Sequence, residues 1–171
     1  MTDDTAPETA APQAIVRDFA SSELFERTFA EGMQLVEETA AYLDGVGRKE
    51  SKLLSRNAAL VYAGESMRLT TRLMQIASWL LVQRAVREGD MAATDASQDR
   101  YRIRAAAPEA ADPVGSLDGL PEGLLMLLDR SERLHERVAH LDRRMYLEAE
   151  AAEAANPVQS QLDRLRTAFG G

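Results

Sequence analysis

The stretch from Glu50 to Glu88 reads as one helix with two apolar sides, and a chain built around such a helix has few ways to fold. At about 100° per residue, Leu53, Leu60, Met67, Met74 and Leu81 form one column at every seventh position. Leu69, Leu73, Ile76 and Leu80 lie well around on the other side. Beside the heptad column runs a second one of short side chains, Asn57, Gly64, Thr71, Ser78 and Ala85, along which a neighbouring backbone can come close. Gly64 costs about 1 kcal/mol of helix propensity relative to alanine, so its place in mid-helix reads as a crossing point. Ala63, Thr70 and Ala77 are also small, and Glu65, Arg68, Arg72, Gln75 and Gln83 make a narrow polar strip that contains Trp79. At about 1.5 Å per residue this spine is about 58 Å long. Two further helices of the same chain cover a wide arc of it but not both sides. A partner subunit is therefore expected, with Leu69, Leu73, Ile76 and Leu80 as the candidate dimer face. The alternative is a purely internal core.

Two more helical patterns flank the spine. Ser21 or Ser22 can cap a helix that runs from about 22 to 45. Its face is expected to hold Phe25, Phe29, Val36, Ala40 and Leu43, flanked by Met33, Leu35 and Tyr42. Pro121 suits the start of a third helix, 121–152, whose apolar face carries Leu124, Leu127, Leu134, Val138, Leu141 and Met145. Residues 1–20 are rich in Ala, Pro, Thr and acid and are expected to remain a disordered arm. The connection 89–120 is long for a compact domain, and 156–171 follows a break at Pro157 as a flexible tail. In 171 residues, 45% of them apolar, there is room for one core and little more. The expected fold is all-α: a three-helix bundle over 21–155 with a long central helix, dimeric, with mobile tails at both ends and a long loop between helices 2 and 3.

Charge and motifs narrow the function. A net charge of −8 repels phosphate backbones and anionic lipid, which argues against nucleic acid or a membrane as a direct partner. The absence of cysteine excludes disulfides and thiolate chemistry, and the N-terminus lacks the basic and apolar blocks of a signal peptide. A cytoplasmic location is expected. "HERVAH", His135 to His140, spaces its histidines five apart, which turns the rings about 140° from each other, so the two do not chelate one ion. "ERLH", Glu132 to His135, matches one element of a di-iron bundle, but the second copy is missing. "GVGRKE", 45–50, is a glycine-containing turn without the remaining dinucleotide fingerprint. No catalytic, metal or cofactor site is expected. His140, on the polar side of helix 3, leaves open a histidine phosphotransfer module, and a structural helical scaffold is a further alternative.

Three stretches are candidate docking surfaces. Arg48, Lys49, Lys52 and Arg56 gather at the start of helix 2, where the helix dipole disfavours cations, as though to meet an acidic partner. "RYRIR" at 100–104 alternates basic and bulky residues, with Arg100, Tyr101 and Arg102 as contacts. In the tail, Leu162, Leu165 and Phe169 recur with Val158 at helical spacing. The competing readings are exposed surface charge for the basic turn, a solvated loop with Tyr101 and Ile103 pinned loosely to the bundle for the second stretch, and an end that packs back on the bundle or does nothing for the tail.

"SMRLTTRLMQIASWLLVQRAVREGD" (66–90) together with "LPEGLLMLLDRSERLHERVAHLD" (120–142) resembles the alpha-proteobacterial family of regulators of CtrA degradation. The resemblance spans both long helices. It implies a helical-bundle dimer without catalytic residues, acting in the cytoplasm as an adaptor for the ClpXP protease. Such a protein would attach to ClpX primed by the response regulator CpdR and deliver cargo. It would also recruit a further adaptor, PopA, with the master regulator CtrA, and gather at a cell pole.

Overall fold

Ser22 begins the first helix: its hydroxyl accepts from the Phe25 amide at 3.2 Å, and Glu23 and Glu26 sit in the first turn against the positive dipole end. The computed structural model describes residues 18–20, 22–103 and 115–154, with side chains as far as Leu147. Its elements in chain order are α1 (Glu23–Asp44), α2 (Val46–Ser51), α3 (Arg56–Glu88), α4 (Ala93–Ala96), a 3-10 turn (Asp99–Tyr101) and α5 (Glu122–Ala154). The described residues contain no strand.

The expected 50–88 helix is broken near its start. Ser51 ends α2, tight bonds run from the Leu53 amide to the Glu50 carbonyl and from Leu54 to Ser51, and Ser55 then caps α3 by accepting from the Ala58 amide at 3.2 Å. A serine that bonds its own backbone offers the chain this alternative to a continuous helix. Leu53 therefore leaves the heptad column and stands in the turn, 87% exposed. At its other end α3 stops where Gly89 adopts φ 83°, a left-handed cap that favours glycine.

α1 runs antiparallel to both long helices. Its carboxylates Glu26, Glu31 and Glu38 meet Arg87 of α3 and Arg137 and Arg130 of α5. α3 and α5 are parallel to each other. Arg72 donates to the Ser131 hydroxyl at 3.0 Å, and further along Trp79 donates to Asp142 at 2.8 Å. Two consecutive long helices can be parallel only if the chain between them returns along the bundle, so the length of the 89–120 connection has a geometric cause. Gly115 marks the far end of that return, where an added Cβ would lie 2.9 Å from the Val61 side chain.

The core lies among all three long helices and holds Phe25, Leu35, Leu69, Ile76, Trp79, Leu80, Leu124, Leu134 and Val138. Leu69, Leu73, Ile76 and Leu80, expected at a dimer face, are 0–4% exposed within the single chain. This corrects the expectation: α1 and α5 cover that side completely, and the heptad row faces outward instead. The α1 face is also turned from its expected setting. Its buried stripe is Phe25, Thr28, Gly32, Leu35 and Thr39, and Ala40 is exposed. Gly32 explains the rotation, since a Cβ there would sit 2.5 Å from Leu80 Cδ1. The close helix crossing that the mid-helix glycine suggested is thus made by Gly32 of α1.

Candidate interaction surface

What α3 leaves uncovered is a row of large apolar side chains. Leu60, Met67, Met74 and Leu81 are 64%, 72%, 66% and 53% exposed. Ala63, Thr70, Thr71 and Ser78 stand exposed between them, and no exposed residue of α3 from Asn57 to Leu81 is charged. The two threonines are less polar than their names suggest. Thr70 donates to the Ser66 carbonyl at 2.8 Å and Thr71 to the Met67 carbonyl at 2.9 Å, so both hydroxyls are occupied within the helix. Most soluble surfaces do not place an uncharged apolar row along several turns of helix.

The row is symmetric about the point between Thr70 and Thr71. Leu60 matches Leu81, Ala63 matches Ser78, Met67 matches Met74, and Thr70 matches Thr71. A second α3 laid antiparallel on the first would therefore set like-sized residues opposite each other along the whole row.

Beside the row, the Arg100–Ile103 segment walls a cavity of about 560 Å³, whose lining includes Met74, Ser78, Trp79, Val82 and Tyr101. This segment is held in place by a polar network that sequence reasoning did not find. Asp142, 2% exposed, accepts from the Trp79 indole N–H at 2.8 Å and from Arg102 Nε at 3.0 Å. The Arg102 guanidinium lies 4.0 Å over the Tyr146 ring, and the Tyr146 hydroxyl donates to the Ala96 carbonyl at 2.8 Å. The signal in the sequence was Trp79 placed among polar residues, because a buried indole N–H needs an acceptor. Glu65 and Gln83 of the same strip are also buried, and Glu65 pairs with Arg68 at 3.3 Å.

The other expected contacts separate. Arg102 is half-buried and bonds Asp142, so much of its side chain serves the network. Tyr101 is half-buried, while Arg100 is exposed and stacks on the Tyr101 ring at 4.6 Å. Arg48, Lys49, Lys52 and Arg56 are all exposed at the α2–α3 corner, and none is in an ion pair among the described residues. Leu162, Leu165 and Phe169 lie outside the described residues.

Titratable chemistry follows packing. His135 is buried and His140 exposed. Burial, with help from the hydrogen bond to Glu50 at 2.8 Å, pushes the Tyr42 phenol well above its ordinary value, and burial also raises Tyr62 and Tyr146. Hydrogen bonds from Arg130 and then Gln34 hold the Glu38 carboxyl below its ordinary value. Among the described residues no group of three or more His, Cys, Asp or Glu side chains could hold a metal ion. No helix among them is long and apolar enough to cross a membrane.

A family model described as "Protein of unknown function (DUF1465)" matches residues 16–169. Comparison with curated proteins returns no match. Among solved structures, the crystal structure of RcdA from Caulobacter crescentus CB15 is 65% identical to this chain. The match covers 77% of this chain and 98% of that one, with a TM-score of 0.60. Matched by the family model along nearly its whole length, and this similar to a relative over almost all of that relative's chain, the protein belongs to the RcdA family, the regulators of CtrA degradation.

Proposed function

We propose that the protein is a non-enzymatic adaptor in regulated proteolysis. It self-associates through the outward row of α3 and links cargo and further adaptors to the ClpXP protease. The observation that carries the reading is the exposed, uncharged row Leu60–Met67–Met74–Leu81 in a chain whose relative is RcdA. In this reading it acts in the cytoplasm and gathers at a cell pole. It engages ClpX primed by CpdR, delivers cargo directly, and recruits PopA with CtrA. Delivery requires no chemistry of its own: holding cargo beside the unfoldase raises its effective concentration, and modest contacts are enough.

Self-association is a matter of magnitudes. Withdrawing eight large, partly exposed side chains from water, four from each copy, supplies on the order of 10 kcal/mol. Lost translational and rotational freedom costs about 4–15 kcal/mol. The row by itself therefore sits near the balance point, and contacts elsewhere decide how tight the pair is.

The adaptor reading is tested by reconstituted degradation. Addition of this protein to ClpXP and CpdR accelerates loss of a cargo protein, and PopA extends the effect to CtrA. No acceleration with any cargo would leave a structural scaffold as the better description. Met67→Lys with Met74→Lys converts a self-associating protein to a monomer in sedimentation while its helical circular dichroism stays that of the wild type, and any fall in unfolding temperature is confined to concentrations at which the wild type associates. Exposed His140 supports a second reading, phosphotransfer, in which the protein offered a phosphorylated receiver domain takes up acid-labile phosphate.

A further inference from the structure

Both ends of α3 are charged against the preference of an isolated helix. Cations are disfavoured at a helix N-terminus and anions at a C-terminus. Yet Arg48, Lys49, Lys52 and Arg56 surround the start of α3, and they include both lysines of the chain. Glu88, Asp90 and Asp95 gather at its other end. The corner's own carboxylates do not answer its cations: Glu50 accepts from Tyr42, and Asp44 is in no ion pair among the described residues. At the acidic end, Arg84 pairs with Glu88 and lies over Phe29, and Arg87 is taken by Glu26. Asp90 and Asp95 are left exposed, with no cation partner among the described residues.

We infer that these ends clamp each other between two copies, the basic corner of one protomer meeting Asp90 and Asp95 of the second, twice about one twofold axis. The inference rests on the α3 row being the self-association seam proposed above. The spacing of that row then sets the geometry. Apolar residues at every seventh position keep facing a partner only when the helices cross at a shallow angle, about 20°. At that angle the ends of a 33-residue helix, about 25 Å from its midpoint, lie only about 8 Å further apart laterally than the centres do, within reach of paired long side chains. A crossing near 50° would part them by about 20 Å. Charge also selects direction. A parallel pair would stack four cations on four cations and acid on acid. The antiparallel pair joins opposite charges and sets each helix dipole beside its opposite.

The test uses the full chain and sedimentation over a concentration series. Between about 50 and about 500 mM salt the wild-type dissociation constant should rise about tenfold or more, although the seam itself is uncharged. Lys49→Glu with Lys52→Glu, and separately Asp90→Lys with Asp95→Lys, should each weaken self-association about tenfold at low salt. An equimolar mixture of the two variants should associate nearly as well as wild type. A fold check by circular dichroism accompanies each variant. Association that ignores salt and both charge reversals overturns the clamp and leaves the seam standing, as does a mixture that fails to recover. A wild-type protein that stays monomeric at every concentration, or a Met67→Lys with Met74→Lys variant that still associates, removes the seam and the clamp with it.

Discussion

Asp142 is a carboxylate with almost no access to water, and it is tolerated because two donors meet it: the Trp79 indole and the Arg102 guanidinium. Asp142→Ala leaves the partly exposed Arg102 guanidinium and the buried Trp79 indole N–H without an acceptor and should cost about 1–3 kcal/mol in denaturant unfolding. Trp79→Phe removes only the indole bond and its extra ring and should cost less. The chain has one tryptophan, so Trp79 fluorescence reports the network directly. Gly32→Ala places a methyl group 2.5 Å from Leu80 Cδ1 and should cost about 1–3 kcal/mol through overpacking. The tyrosines give a pH signature. Burial raises Tyr42, Tyr62 and Tyr146 above their ordinary value of 10.0, so the folded state holds its phenolic protons more tightly than the unfolded chain. The resulting stability is complete below pH 10 and is lost as pH rises above it. Unfolding midpoints measured from neutral to strongly alkaline pH should fall, and Tyr42→Phe should flatten the decline.

Within α3, two faces that look equally apolar in the sequence behave oppositely. Ile76 and Met74 are two residues apart, yet Ile76 is fully enclosed and Met74 is 66% exposed. Ile76→Ala should destabilise the protein by about 2–5 kcal/mol, whereas Met74→Ala should change the stability of the single chain by no more than about 0.5 kcal/mol. Thermal melts of the two variants at low concentration decide between this assignment and the reverse one. The periodicity alone showed that α3 has two apolar sides. It did not show which is inside, because Leu60, Met67, Met74 and Leu81 are as apolar as Leu69, Leu73, Ile76 and Leu80. The choice was made by Gly32, which draws α1 against Leu80, and by the placement of α5 along Arg72 and Trp79. The break at Ser55 was similarly hidden, since a serine inside a run of good helix formers caps a helix only when the chain before it turns.

For the molecule as a whole, a net charge of −8 is spread unevenly. Glu26, Glu31 and Glu38 of α1 are spent on arginines of α3 and α5, which fasten an antiparallel helix to two parallel ones. Glu38 titrates below its ordinary value of 4.5, so its contribution is present above that pH and disappears as pH falls through the lowered value. The group is more than a third exposed, and the effect is screened to below about 1 kcal/mol. Glu38→Gln should leave neutral-pH stability almost unchanged and make the acid limb of the stability profile slightly shallower. What the sequence by itself determined was helical class, the three long amphipathic segments, the two-sided spine and the want of a recognisable catalytic motif, because these follow from periodicity and residue chemistry within one stretch of chain. Only the tertiary structure decided which side of the spine is free, that α3 and α5 run parallel with a full-length return between them, and that Arg102 bonds Asp142. Each of those depends on which distant segment arrives beside a residue, and spacing along the chain carries no record of that.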